Sequence, residues 1–342
     1  MTDPTRLSPS LCGLVLLAAM LIAAGPANAA DVRVNLGTLA PRGSSFHQAL
    51  QLMAEEWRAA PGGGVRLVIY PDGAQGGEAD MVRLMRVGTL QAALITAVGL
   101  SEIVPEVVAL QSIPMLYRSL DELEHVTATL WPELSRRFAE KGFIVLFWSD
   151  AGWVHYFAKE PLRTPPDLQR ARIFVWAGDT EQVALMRNAG YHPVPLETAD
   201  IIQSLSTGQI TALTVPPIFA LVGQFERRAP HMTALNWAPI VGACVIRKDA
   251  WERLAPETRA RLQQAAETAG RHIRAHNRRE SEQAIARMQS NGLTVHRPTP
   301  EQEAEWLRTV EALYPQIRGG MVPAPMFDEV QRVLAEYRTR RQ

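Results

Sequence analysis

The stretch ETRARLQQAAETAGRHIRAHNRRESEQAIARMQ, Glu257–Gln289, decides the fold that this sequence predicts. It contains no proline and only one glycine, and arginine and glutamate are dense over most of its circumference. A helix of about thirty residues is about 45 Å long, which exceeds the width of one small domain. Because a helix this long and this polar is typical of a bridge between domains, we expect it to join two lobes.

Short apolar runs alternate with amphipathic segments before this helix, a pattern typical of α/β lobes. Val32–Leu39 and Val65–Tyr70 predict strands, and the helical spacing of Phe46, Met53 and Trp57 predicts a helix between them. The fold class that we expect is therefore α/β, as a two-lobed clamshell of the periplasmic-binding-protein type with a ligand cleft between the lobes.

The expected boundaries divide the chain at the crossing segments. Lobe I takes residues 30–152 with about 242–270, and lobe II takes residues 153–241 with about 271–342, including the C-terminal helices. The long helix, over about 257–290, spans both lobes.

Residues 1–29 are typical of a secretory signal peptide. Arg6 precedes the apolar run Leu11–Ala24, and the small residues Ala27–Ala29 follow it. We expect cleavage after Ala29 and a periplasmic location, with a retained anchor as the alternative. No later stretch approaches twenty apolar residues, so the mature chain is not expected to span a membrane. Of the two cysteines, only Cys244 follows the cleavage point, which excludes an intrachain disulfide.

Composition and motifs argue against several classes of function. Lys plus Arg and Asp plus Glu both number 35, so the chain lacks the basic excess of a nucleic-acid binder. Glycine-rich nucleotide loops, a His-Glu-x-x-His motif and a Gly-x-Ser-x-Gly elbow are absent. His272 and His276 could clip a metal on one helical face, but no third ligand lies beside them, and a solvated face is the simpler interpretation. We expect no catalytic residue, metal or cofactor.

Six stretches resemble, in order and over nearly the whole mature chain, the DctP-type substrate-binding proteins of tripartite ATP-independent periplasmic (TRAP) transporters. The resemblance implies a two-lobed receptor that closes on a small molecule and delivers it to TRAP membrane subunits, with uptake powered by an ion gradient. The stretches are Leu36–Pro41, Gly63–Pro71 with Gly76–Glu78, Val87–Ala92, Ile113–Tyr117, Pro161–Leu168 and Trp251–Glu257.

The chain departs from this family's pattern where the family binds carboxylates. Val154 stands at the position of one family arginine, and Phe174 stands at the position of a second, which pairs with the ligand's carboxylate. The family's Asp-Gly-x-Glu stretch is replaced by Thr211–Thr214. An alignment shifted by two residues would instead make Arg172 the carboxylate partner, because Arg172 and Phe174 share a strand face.

These departures predict a hydrophobic ligand, such as a lipid, fatty acid, sterol-like or aromatic molecule, because a cleft without cations should reject small acids. His47 is a further candidate donor, with packing on its helix as the alternative. A receptor for a small organic acid held by Arg172 remains the main alternative function; an exported enzyme or a periplasmic sensor partner is a weaker one. The candidate ligand-binding residues are Trp153, Val154, Tyr156, Phe174, Trp176, Thr214, Val215, His47 and Arg172.

Overall fold

The computed structural model describes residues 32–60 and 64–341. The strands are β1 (Val32–Thr38), β2 (Val65–Tyr70), β3 (Ala92–Thr96), β4 (Phe143–Ala158), β5 (Arg172–Trp176), β6 (His192–Leu196), β7 (Ala212–Val215), β8 (His231–Arg247) and β9 (Thr294–His296). The predicted signal peptide, residues 1–29, lies outside the described residues.

Helices lie between most of these strands and cover the sheet. They are α1 (Ser45–Arg58), α2 (Glu78–Arg86), α3 (Ala97–Ser101), α4 (Leu120–Glu140), α5 (Pro165–Gln169), α6 (Thr180–Asn188), α7 (Ile201–Thr207), α8 (Pro217–Val222), α9 (Lys248–Glu252), α10 (Pro256–Ser290), α11 (Pro300–Glu311), α12 (Tyr314–Ile317) and α13 (Ala324–Thr339). Short 3-10 helices span Pro105–Leu110, Thr198–Asp200 and Phe225–Arg227. No helix among the described residues is long and apolar enough to cross a bilayer.

One sheet of nine strands runs through both lobes, in the order β2-β1-β3-β8-β4-β7-β5-β6, with β9 also paired to β8. Strands β2, β1 and β3 are parallel to one another and form the sheet of lobe I. Strands β7, β5 and β6 are likewise parallel and form that of lobe II. The antiparallel pair β4 and β8, of 16 and 17 residues, belongs to both lobes.

The two long strands bend where they pass between the lobes. Their pairing register shifts between Asp150 and Trp153 and again between Val154 and Tyr156. Gly152 lies within the first of these shifts with φ +70°, a conformation that favours glycine. Because β-bulges bend and twist a strand, these irregularities let the same backbone serve two differently oriented halves of the sheet.

The long helix α10 spans both lobes, as its sequence predicts. At 35 residues it is about 52 Å long. Its first half buries Leu262 and Ile273 in the core of lobe I, and Met288 near its end belongs to the core of lobe II. Gly270 lies so close to Phe147 of β4 that a Cβ there would come within 2.8 Å of the ring.

The C-terminal residues divide between the lobes, which differs from the expected boundary. Trp306 of α11 packs in lobe II against Tyr156. Helix α13 returns to lobe I, where Phe327 and Val330 enter the apolar core and Arg338 bonds to Glu122 of α4. An amphipathic helix can bury its apolar stripe against either lobe, so its sequence alone does not select one.

Candidate functional site

A cavity of about 340 Å³ lies between the lobes. Its walls come from strand ends and the turns after them: Thr38 of β1, Thr96 of β3 and Trp176 of β5, with Asp150 from the bend of β4. In open α/β sheets, ligands bind in the crevice outside the carboxyl ends of the strands, and this cavity has that position. Phe46, Leu94, Val98, Phe219 and Ile240 supply apolar lining.

The charged side chains that line this cavity, among the described residues, are all acidic. Five carboxylate side chains line it, and no lysine, arginine or histidine does so among the described residues. They are Glu78, Asp80, Glu102, Asp150 and Glu197. Among the described residues, this cavity is therefore lined by anions and apolar groups and not by cations.

Glu78, at the first position of α2, has a structural role. Its carboxylate accepts hydrogen bonds from the Thr96 amide (2.7 Å), the Thr96 hydroxyl (2.6 Å) and the Gly99 amide (2.9 Å). Burial raises the pKa of Glu78, against the effect of these bonds. The side chain thereby fixes the turn between β3 and α3 at the floor of the cavity.

Asp150 lies at the bend of β4, with one carboxylate oxygen bonded and the other free. Oδ1 accepts from the Gly152 amide at 3.0 Å, and the Asp150 carbonyl accepts from Asn277 of α10. Burial raises the pKa of Asp150, although Arg274 and Arg278 act in the opposite direction. Neither arginine forms an ion pair with it among the described residues, because Arg274 stacks on Trp148 at 4.4 Å and Arg278 pairs with Asp121.

A second cavity, of about 110 Å³, adjoins the first, and Val98, Trp176 and Ile240 line both. Aromatic and apolar side chains make most of its wall. The polar side chains that line it are Gln111, Ser112, Tyr156, Asp179, Gln182, Tyr191 and Thr214. The two cavities are thus neighbours, separated by these three shared residues.

Two donors that open into the smaller cavity, on otherwise buried residues, have no partner in the described part of the chain. Gln111 is 8% exposed; its Oε1 accepts from the Val241 amide at 2.9 Å, which leaves the Nε2 group without an acceptor in the described part of the chain. Tyr156 is 2% exposed, and its hydroxyl makes no hydrogen bond within the same residues. Burial raises the pKa of Tyr156 well above its usual value, so the hydroxyl remains a donor at neutral pH. An occupant with hydrogen-bond acceptors would satisfy both groups.

Asp179 is the one carboxylate that lines the smaller cavity among the described residues. Its Oδ1 accepts from the Gln182 amide at 3.1 Å and thereby caps the start of α6. Burial raises the pKa of Asp179 to about 6. Its charge is therefore lost within the range of pH in which proteins are ordinarily handled.

The structure brings together five of the nine candidate residues. Tyr156 of β4 is held there by the rings of Trp237, at 5.1 Å, and Trp306, at 6.0 Å. Trp176 lines both cavities, and the other members line the smaller one. The five are Val154, Tyr156, Phe174, Trp176 and Thr214.

The other four candidates do not line either cavity. Trp153 packs against the core of lobe I, and Val215 is buried in that of lobe II. His47 is buried in α1, where its Nδ1 accepts a hydrogen bond from the Gly43 amide at 3.1 Å. This position fits the alternative expectation, in which His47 packs on its helix and does not contact the ligand.

Arg172, the carboxylate partner in the alternative function, begins β5 at the end away from the cleft. Its exposed guanidinium donates from Nε (2.8 Å) and Nη2 (2.5 Å) to the Gly208 carbonyl. The second half of β5 lines the cavities, through Phe174 and Trp176. Arg172, at the start of the strand, lines neither cavity.

The family profile described as bacterial extracellular solute-binding protein, family 7, matches residues 36–319. A solute-binding protein of Chromohalobacter salexigens is 28% identical over 235 residues, 67% of this chain and 68% of that protein. The C4-dicarboxylate-binding periplasmic protein DctP of Rhodobacter capsulatus is 21% identical, over 71% of this chain and 74% of that protein.

Two solved TRAP periplasmic solute-binding proteins share the architecture. One, from Chromohalobacter salexigens with bound D-glucuronate, has a TM-score of 0.80 at 20% identity and covers 88% of this chain and 99% of its own. Another, from Sulfurospirillum deleyianum with bound succinate, has a TM-score of 0.81 at 20% identity, over 89% of this chain and 99% of its own. At such identities the likeness shows the fold, and the predicted two-lobed α/β clamshell is confirmed.

Proposed function

Because this chain belongs to the bacterial extracellular solute-binding protein family 7, we propose that it captures a small organic acid between its lobes and delivers it to TRAP membrane subunits. The capture step would close the lobes over the two cavities, and reopening at the membrane would release the solute. Export, with removal of residues 1–29, belongs to the same proposal.

Membership of this family confirms two expectations from the sequence. The resemblance to DctP-type receptors of TRAP transporters is correct, and the chain belongs to a family of transport receptors and not of enzymes. The family acts outside the cytoplasm, as expected of an exported chain.

The hydrophobic ligand expected from Val154 and Phe174 has no support from the relatives, whose bound molecules include D-glucuronate and succinate. It also conflicts with the acidic lining of the larger cavity. An apolar occupant would strip water from those carboxylates without replacing its hydrogen bonds, which costs several kcal/mol per charged group. The alternative of an organic acid is closer, although Arg172 is not placed to bind it.

The observation that carries the proposal is the pair of unpartnered donors in the smaller cavity. The Gln111 amide and the Tyr156 hydroxyl both donate to acceptors, and a carboxylate offers two acceptor oxygens. Neutral donors can hold an acid without an arginine, at lower energy per bond than a guanidinium fork. Val154 and Phe174 then shape the cavity around the acid instead of binding its charge.

Replacing Tyr156 with phenylalanine tests this assignment, because it removes the hydroxyl and keeps the ring between Trp237 and Trp306. We expect about tenfold weaker binding of the acid that binds best among succinate and D-glucuronate, measured by calorimetry, with little change in the ligand-free melting temperature. Tyr337→Phe, on α13 outside both cavities, is the matched control and should bind like the wild type. Equal affinities of Tyr156→Phe and the wild type would refute the role of this hydroxyl.

The raised pKa of Asp179 predicts that acids bind more tightly as the pH falls. Protonation of Asp179 removes a negative charge beside the ligand's carboxylate, so affinity should rise as the pH decreases from 7.5 through about 6. Asp179→Asn keeps an oxygen to cap α6 and removes the charge, so it should bind more tightly at pH 7.5 and show a flatter pH profile. Titrations at several pH values measure both; a variant profile as steep as that of the wild type would assign the dependence to another group.

A further inference from the structure

We propose that the organic acid bound by this receptor also carries a cationic nitrogen, a protonated amine or a quaternary ammonium, held by Asp150, Glu197 and Trp176. This inference rests on the proposed function, since it assigns the second end of the same ligand. It follows from which carboxylates in the larger cavity have partners and which do not.

Of the five carboxylates that line this cavity, Glu102, Asp150 and Glu197 form no ion pair among the described residues. Glu78 is satisfied by three hydrogen bonds, and Asp80 pairs with Arg83 at 2.6 Å. In contrast, Asp150 has one amide bond and no ion pair among the described residues. Glu197 has neither a hydrogen bond nor an ion pair from any side chain in that part of the protein.

Asp150 and Glu197 come from opposite walls of the cleft. Asp150 lies at the bend of β4, whereas Glu197 follows β6 in lobe II. A Cβ built on Gly77 of lobe I would come within 2.9 Å of Glu197 Oε2, so this carboxylate reaches across to the other lobe. Both carboxylates therefore face the same cavity. Glu197 is exposed in this structure, and closure of the lobes would remove water from both carboxylates, a loss that a positive group would offset.

The smaller cavity, in contrast, presents donors that need hydrogen-bond acceptors. The nine-tenths-buried side chains of Gln111 and Tyr156 present donors without acceptors in the adjoining cavity. One end therefore needs acceptors and the other needs a cation. Trp176 lines both cavities and offers an aromatic surface against which an ammonium group is stabilised.

A ligand with a carboxylate and a cationic nitrogen satisfies both ends, and its net charge of zero suits cavities that no arginine or lysine of the described residues lines. A dicarboxylate would place its second negative charge beside Asp150 and Glu197. A simple monocarboxylate would leave them without a partner. Discrimination in favour of the zwitterion follows from this difference.

The test compares ligands that share a carbon skeleton. Calorimetry at pH 7.5 would use 4-aminobutanoate, butanoate and succinate, then 5-aminopentanoate, pentanoate and glutarate, and butylamine as a cation without an acid. We expect at least one amino acid to bind tenfold or more tightly than both of its matched acids. Asp150→Asn and Glu197→Gln should each reduce that preference several-fold, whereas Glu160→Gln, an exposed glutamate outside the cavities, should leave it unchanged.

Each outcome decides between the two proposals. If butanoate, succinate or their longer analogues bind as tightly as the amino acids, the inference is wrong and the organic-acid receptor stands. If butylamine binds as tightly as the amino acids, the carboxylate assignment is wrong. If none of these compounds binds, native mass spectrometry of the exported protein identifies the co-purified solute. A solute without nitrogen would overturn the inference of a cationic group, and a solute without a carboxyl group would overturn the proposal of an organic acid.

Discussion

Replacing Trp306 with alanine should lower the free energy of unfolding by about 3–5 kcal/mol. The side chain is fully buried in α11, its ring lies 5.9 Å from that of Trp237 and 6.0 Å from that of Tyr156, and its Nε1 donates to the Arg163 carbonyl at 3.1 Å. The loss combines a cavity of indole size with an unpaired carbonyl. Urea unfolding followed by circular dichroism measures it.

Trp306→Phe separates packing from hydrogen bonding in that experiment. It keeps an aromatic ring beside Tyr156 and loses the indole donor, so we expect a smaller loss of about 1–2 kcal/mol. Because Trp306 supports the ring of Tyr156, Trp306→Ala should also weaken ligand binding. A Trp306→Ala protein within about 1 kcal/mol of the wild type would show that the aromatic cluster is not a main source of stability in lobe II.

Replacing Glu122 with alanine should cost about 3 kcal/mol, since it leaves the Arg338 guanidinium partly buried without its partner. Glu122 is 6% exposed, and it accepts two bonds from Arg338, each of 2.8 Å, and one from the Arg118 amide at 2.7 Å. These contacts fasten α13 to α4 in lobe I. Chemical unfolding at pH 7 measures the loss.

The same ion pair gives a pH dependence with a defined sign. Burial acts to raise the pKa of Glu122, but the bonds from Arg338 and the Arg118 amide outweigh it and lower the pKa below 4.5. A carboxyl with a lowered pKa in the folded protein stabilises it fully above the unfolded pKa, and that contribution is lost as the pH falls through the folded pKa. The difference in stability between wild type and Glu122→Ala should therefore shrink below about pH 4.5.

An exposed ion pair on α13 is the control for the loss of stability expected of Glu122→Ala. Glu329 pairs with Arg332 at 2.6 Å, and the two side chains are 37% and 53% exposed. Glu329→Gln should change the stability by less than about 1 kcal/mol. If Glu122→Ala cost no more than Glu329→Gln, the attachment of α13 would depend on its apolar contacts alone.

The fold was accessible from the sequence because its main signals are local. Alternating apolar runs and amphipathic segments predict α/β lobes, and Glu257–Gln289 is long enough to need two of them. The apolar runs Phe143–Trp148 and Trp153–Ala158 predict two strands, but they form the single strand β4, because a bulge at Gly152 bends the chain without ending it.

The site was accessible only in part. Alternation along β4 and β5 identifies the side chains that share a strand face, which places Tyr156 and Phe174 in the smaller cavity. It does not give the depth of a residue in the cleft, and Arg172, which shares a face with Phe174, bonds to the Gly208 carbonyl outside both cavities. Asp150, Glu197 and Gln111 come from a bend, a strand end and a loop far apart in the chain, and only the folded structure brings them together.

The shared strands β4 and β8 determine how the protein unfolds. Each half of the molecule contains backbone that is also part of the other, so neither half corresponds to a segment of chain that could be excised and refolded alone. We therefore expect that neither half unfolds before the other on heating or in denaturant, and that the whole chain unfolds in one cooperative transition.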